Sequence, residues 1–279
     1  MKDSTLRKIN LTIIFIFLAI TTIFVIYPLV YAVSAAFSPG SSISSLNIVP
    51  FADGFTLEHF KHIFNDTDYK RWFLNTLFIA GSTSIGTVFV SSLGAYVFSR
   101  FRFTFRKSMM MAMLVLQIFP SFVGMIAIYV ILLRIGGLDQ LWGLVLVYLA
   151  GNIPYNIWLV KSYMDTISKN IDEAARIDGA SHFKIFTSII FPITRPIIIF
   201  LAVTSFTGPW MDFIFPKMIL RSSEKQTLAL GLFSFVTDKK NEFTNFAAGA
   251  ILVAIPFIIF FIVTQKMLVN SLGGSAVKE

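Results

Sequence analysis

The chain has 279 residues, 56% of them apolar and only 14% charged, with 31 Phe, 8 Tyr and 4 Trp. That charged fraction is about half the level of a soluble domain and, with a mean hydropathy of +0.76, excludes a water-soluble two-domain enzyme. The absence of cysteine excludes disulfides, thiolate metal sites and a catalytic thiol, while the net charge of +8 leaves nucleic acid, anionic lipid or an uneven charge distribution across a bilayer as explanations.

Six charge-poor stretches are long enough at ~1.5 Å per residue to cross ~30 Å of hydrocarbon. The first, Leu11–Val33, holds fifteen Leu, Ile, Phe or Val residues, roughly −6 kcal/mol of insertion drive at about −0.4 kcal/mol each. Lys2, Arg7 and Lys8 before it and Ala32, Ser34, Ala35 and Ala36 after it imitate a signal peptide. About 23 apolar residues exceed the usual signal-peptide core, so an uncleaved span with a cytoplasmic N-terminus is expected. A long outer loop, Ser34–Arg71, follows, with a turn-rich stretch at Ser38–Ser45.

The second span, Trp72–Phe98, is dense in Gly, Ser, Thr and Ala. Such residues let helices approach closely, although lining a polar path is the alternative. The connection Arg100 to Lys107 carries four bases and no acid. The third span is Met109–Leu133, with Gln117 and Pro120; a short turn, Arg134–Gln140, leads to the fourth, Leu141–Val160, with Asn152, Pro154 and Asn156. The fifth, Pro196–Pro216, has only ten strongly apolar residues and carries Gly208, Pro209 and Asp212, the last at about +3 kcal/mol. It therefore needs neighbours and belongs inside the bundle. Thr227–Val236 in the next loop, Lys217–Asn245, is too short to span and reads as a short helix or hairpin. Phe246–Gln265, with Pro256, is the sixth span.

This topology puts fourteen Lys and Arg inside and nine outside, with both termini cytoplasmic. The +8 is then topology, and no nucleic-acid partner is expected. Prolines 120, 154, 209 and 256 each remove a helical hydrogen bond, which suggests a bundle with moving parts. Asp212, the one carboxylate inside a span, is either a gate or substrate contact or a wet interfacial group. Gln117, Asn152, Asn156, Trp210 and Asp212 are the candidate translocation-path or gate residues, with polar-to-polar helix packing as the alternative for the three amides. The sequence has no GxxxxGK[ST] phosphate loop and no HExxH, and His59, His62 and His182 are unclustered. Catalysis, metal and cofactor are not expected of this chain.

The inner loop between the fourth and fifth spans, Lys161–Arg195, is patterned: Ile171-Asp-Glu-Ala-Ala-Arg-Ile-Asp-Gly179-Ala-Ser181, then a run ending in Ile189-x-Phe191-Pro192. Ala174 and Ala175 are strong helix formers of little bulk, Gly179 permits a turn, and Ser181 can cap a following helix. Two short helices at an angle are predicted, either fitting a groove on another protein or lying as an ordinary interfacial amphipathic helix.

The spacing Glu173-Ala174-Ala175-x3-Gly179-x9-Ile189-x-Phe191-Pro192 resembles the EAA loop of ABC importer permeases, with Phe191 in place of the family's Leu. The string Glu-Ala-Ala-Arg-Ile-Asp-Gly-Ala-Ser is similar to the carbohydrate branch. Trp210-Met-Asp-Phe213-x-x-Pro216, Thr227-Leu-Ala-Leu-Gly231 and the tail Gln265–Lys278 resemble the maltose/maltodextrin type. The resemblance implies an all-α integral membrane protein with the six-helix type I ABC importer permease fold. Residues 1–71 would form the first helix and its external loop, 72–265 the core permease domain with the coupling loop at 161–195, and 266–279 a cytoplasmic tail.

It implies a bacterial or archaeal cytoplasmic membrane and a sugar-importing assembly. The partners would be a second permease subunit, two ATPase subunits that carry ATP and Mg, and an extracytoplasmic solute-binding protein. Glu173, Ala174, Ala175, Arg176, Asp178, Gly179 and Pro192 would meet the ATPase, as would Gly273, Gly274 and Lys278 of the tail. An ion-coupled secondary transporter is disfavoured, because ion coupling usually recruits several ionisable groups within the spans.

Overall fold

In a lipid solvent a chain must satisfy its own backbone polar groups, and helices do so within one segment. The computed structural model describes residues 2–118, 121–237 and 241–276, and all regular structure in them is helical. The chain divides into two compact units, Met1–Asp68 with Leu232–Ile255, and Tyr69–Gly231 with Pro256–Glu279.

In the first unit α1 (Lys2–Phe37) contains the whole first predicted span. Its apolar stretch Asn10–Phe37 has none of its most hydrophobic window buried, the surface expected of a helix dissolved in lipid. The outer loop is tied to the end of α1: Phe51 N–H donates to Ser34 Oγ at 2.6 Å and Tyr27 Oη–H to Ile48 O at 2.6 Å. The predicted turn-rich stretch contains Gly40 at φ +109 and a 3-10 turn at Ile43–Ser45. On α2 (Glu58–Asp66), His59 sits between Asn245 Oδ1 at 2.8 Å and Ser38 O at 3.0 Å, so it ties loop to helix. No metal-holding cluster is found among the described residues.

The second unit is built on α3 (Tyr69–Arg100) and α6 (Leu141–Met164). A Cβ on Gly86 would stand 2.8 Å from the Leu149 side chain, and one on Gly94 2.9 Å from that of Ile157. Gly86 and Gly94 are therefore packing residues; Ala80, Thr83, Thr87, Ser91 and Ala95 are buried, and Ser84 Oγ donates to Ala202 O of the neighbouring helix at 2.8 Å.

The predicted third span is corrected. It is two helices, α4 (Arg106–Ile118) and α5 (Met125–Arg134), with a 3-10 turn at Ser121–Gly124 before α5. Pro120 falls in the gap and lies outside the described residues; a proline has no N–H to donate and disfavours helix at the residue before it. Prolines 154, 209 and 256 lie inside continuous helices, so the expected breaks occur at none of these three.

After α6 come α7 (Asn170–Ile177), α8 (His182–Ile185), a π-helical turn at Phe186–Ile190, and α9 (Phe191–Ile193). The chain then turns by 80° into α10 (Arg195–Met211). The predicted fifth span was to run to Pro216, but α10 stops at Met211. Asp212 is extended and its Oδ1 accepts the Ile214 N–H at 2.8 Å, opening α11 (Ile214–Ile219), the local bonding that makes Asp a helix breaker and cap. Of the two forms expected for Thr227–Val236, the structure has the helix, α12 (Leu228–Phe233), followed by a 3-10 turn. The last helix, α13 (Phe243–Ala276), contains the sixth predicted span. Among the described residues four helices are long and apolar enough to cross a membrane, and the bent segment ending in α10 makes a fifth.

Candidate coupling loop and intramembrane polar groups

Both predicted helices of the inner loop form, and local chemistry sets their ends. Asp172 and Glu173 stand in the first turn of α7 and Arg176 in the last, each favourably placed on the helix dipole. Gly179 takes φ +83; its N–H bonds Arg176 O at 3.0 Å, and the Ala180 N–H bonds Ala175 O at 2.9 Å. This is a Schellman termination, which demands a left-handed residue at that position. Nothing lies within 4 Å of a Cβ built on Gly179, so glycine is needed there for conformation and not for space. Ser181 caps α8, its Oγ accepting the Lys184 N–H at 3.3 Å.

Glu173, Ala174, Arg176, Asp178 and Pro192 are exposed and Ala175 is half-buried. Two apolar side chains near them are also exposed, Ile177 at 88% and Phe183 at 71%. The inward face is anchored: Ile185, Phe186 and Ile190 are buried with Ala95 and Tyr96 of α3 and Val160 and Met164 of α6. Pro192 offers no helical N–H, and the turn before it is π-helical, with the Phe191 N–H bonded to Phe186 O.

Sequence reasoning missed the polar centre of this arrangement. Arg100, the last residue of α3, directs Nε at Asp172 of α7, 3.2 Å from Oδ1 and 3.0 Å from Oδ2. Its Nη1 donates to Met164 O at 3.1 Å and Ser99 Oγ at 3.2 Å, and Nη2 to Ile167 O at 3.2 Å. The two side chains are only 6% and 12% exposed. Beside them Asp165 accepts from Ser99 Oγ at 2.7 Å and from the Lys161 ammonium. Partial burial works to raise the Asp165 pKa, but the bonds from Lys161 and Ser99 and the charges of Lys161 and Arg106 hold it below the usual carboxylate range. The available signal was an Arg at a helix terminus and an Asp next to the motif, and both read equally well as topology charges.

The path candidates separate. Gln117 and Asn152 line one cavity of about 840 Å3, together with Tyr148, Ile128 and Phe215. Asp212 adjoins it through Tyr148, whose Oη–H donates to Asp212 Oδ2 at 2.8 Å. Asn156 is buried elsewhere on α6 and donates back to Asn152 O at 2.8 Å. Trp210 is 1% exposed, stacked on Phe206 and edge-on to Phe73, a core residue. Gly273 and Gly274 lie in the last turns of α13, and Lys278 lies outside the described residues.

A second polar knot, also missed, closes the α5–α6 connection. Asp139, at φ +56, accepts the N–H groups of Arg221 and Ser222 at 2.9 and 3.0 Å and the Ser222 hydroxyl, with Lys225 beside it at 3.7 Å. Burial pushes its pKa upward, and these bonds and the Lys225 charge outweigh that and hold it at about 2.

The long apolar helices define a multi-pass helical membrane protein. Residues 86–273 match the family model described as "Binding-protein-dependent transport system inner membrane component", and the chain belongs to that family. It is 40% identical to the maltodextrin transport system permease protein MdxG of Bacillus subtilis over all of both chains. It is 39% identical to the galactooligosaccharides transport system permease protein GanQ of the same organism, over 98% of this chain and 97% of that one. A crystal structure of a bacterial ABC transporter involved in alginate import contains a chain of the same fold, with a TM-score of 0.81 at 22% identity over 93% and 96% of the two chains. The family and these permease relatives make the chain a permease component of a binding-protein-dependent transport system and not an enzyme.

Proposed function

We propose that this chain is one of two permease subunits of an ATP-driven importer of oligosaccharides of the maltodextrin or galactooligosaccharide type. Two ATPase subunits carrying ATP and Mg would drive it, and an extracytoplasmic binding protein would deliver the sugar. The chain would cross a cytoplasmic membrane six times, α4 and α5 together making one crossing, with both termini inside. Support for the sugar comes from the relatives' substrates, and support for the orientation from the bias of Lys and Arg.

The observation that carries the mechanism is the Arg100 clasp on α7. The exposed face of α7, with Glu173, Ala174 and Arg176, would dock into the ATPase, and Gly273, Gly274 and Lys278 would make a second contact. When the ATPase closes, α7 moves. Because Arg100 bonds α7, the end of α6 and the segment after it, α3 and α6 must follow. Through the 80° corner the same loop displaces α10, and with it Asp212 and Tyr148 beside the cavity that holds Gln117 and Asn152. Polar groups there would pass sugar hydroxyls while the apolar lining stacks on the sugar ring faces.

The test is the whole assembly in proteoliposomes with Glu173→Lys or Gly179→Asp. ATPase activity without sugar uptake, with the complex still assembled, is the expected result. Normal uptake by both variants, or gradient-driven uptake by this chain alone, would overturn the reading.

A further inference from the structure

A second concavity lies beside the start of the coupling loop, at Lys161. A cavity of about 510 Å3 opens where the α3–α4 connection meets the last turns of α6, and Arg102, Arg106, Lys107 and Lys161 line it. Lys161 is already committed to Asp165, whose carboxylate also feels Arg106. Among the described residues, Arg102, Arg106 and Lys107 form no ion pair.

As it stands the arrangement is electrostatically unfavourable. Arg106 and Lys107 are the first two residues of α4, and the first turn of that helix holds no acid. Two cations thus occupy the positive end of a helix dipole, where an anion is favoured. The remaining walls are apolar or amphipathic: Phe103, Met110 and Trp158, the last 38% exposed and of the type that settles at headgroup level.

A free anion would need only the cationic rim. From Lys107, however, a shallow apolar groove of about 620 Å3 continues along α4 past Met111, Ala112, Val115 and Leu116. A charged seat joined at one residue to an apolar trough has the shape of a headgroup with its chain. We propose that this paired concavity binds an anionic phospholipid, its phosphate held by Arg102, Arg106 and Lys107 and one acyl chain lying in the α4 groove. Basic pockets at the cytoplasmic ends of membrane helices commonly hold such headgroups.

The full-length chain in neutral detergent is titrated with phosphatidylglycerol brominated on its acyl chains, and quenching that depends on Trp158 is read as wild type minus W158F. Quenching should reach half its maximum at about a hundredfold less phosphatidylglycerol than phosphatidylcholine. K107Q should weaken the phosphatidylglycerol response about fivefold and R102Q/R106Q/K107Q about a hundredfold, with the phosphatidylcholine curve unchanged as the check on folding. The triple variant K70Q/R134Q/K217Q removes as much charge from other surfaces and should match wild type. Equal responses to the two lipids, or equal losses in the two triple variants, would overturn the proposal. Complete displacement of phosphatidylglycerol by inorganic phosphate would instead make this a free-phosphate site and overturn the lipid assignment.

Discussion

Arg100 and Asp172 are 72 residues apart in the chain, yet the guanidinium and carboxylate meet at 3.0 Å, nearly shut off from solvent, at the point where α3, α6 and α7 converge. A buried pair of this kind adds little net stability, but loss of one partner strands the other charge. Arg100→Ala or Asp172→Ala is expected to cost about 3–5 kcal/mol locally. Hydrogen exchange over residues 170–177 should show the loss. The double variant should cost less than the two single costs added together; strict additivity would mean that the pair does not act as a unit.

Gly179 and Gly231 should respond differently to alanine. At Gly179 the obstacle is φ +83 in open space, so Gly179→Ala should cost about 1 kcal/mol through backbone strain alone. At Gly231 a Cβ would enter the Trp72 indole, and about 1–3 kcal/mol is expected from overpacking. Trp72→Ala should relieve the second and leave the first unchanged in thermal unfolding.

Asp139 sets an acid limit on the α5–α6 connection. Its folded-state pKa of about 2 lies below the ~3.9 of an unfolded Asp, so the folded state favours the charged form. The stabilisation is complete above about pH 4 and is lost as pH falls through about 2. Asp139→Asn should flatten stability against pH in that window, as measured by detergent-solubilised unfolding; an unchanged profile would remove Asp139 from the account.

Within the cavity, Gln117→Leu and Asn152→Leu remove the two amides that line it. Each should raise the KM for sugar uptake, roughly tenfold if one hydrogen bond to a hydroxyl is lost, with ATPase coupling intact. Asn156→Leu, whose amide bonds within α6, should leave KM near the parent value and lower stability instead.

What could be read from the sequence was what depends on near neighbours. The crossing helices α1, α3, α6 and α13 follow from runs of apolar residues, and the α7–turn–α8 loop follows from Ala174, Ala175, Gly179 and Ser181, each acting within one turn of itself. The small residues of α3 left two uses open in the sequence, close helix contact and the lining of a polar path, and that α6 is the partner was not legible in them. Partners distant in the chain were not legible. Arg100 offered no sign that it would find Asp172, nor Asp139 that it would find Ser222. Asp212 read as a lone charge in a span, whereas it ends α10 and bonds Tyr148. The place of the split between α4 and α5 was marked by Pro120, but hydropathy averaged over Met109–Leu133 passes over a break of a few residues and made the stretch one span.

The notches at Gly86 and Gly94 are eight residues apart on α3, and the side chains that fill them, Leu149 and Ile157, are eight apart on α6. Equal spacing makes the contact a two-toothed gear engaged at one setting, so that sliding either helix along the other would unseat both side chains together. Relative translation of the two is thereby opposed, and a stroke delivered to this pair is expected to emerge as tilt or rotation.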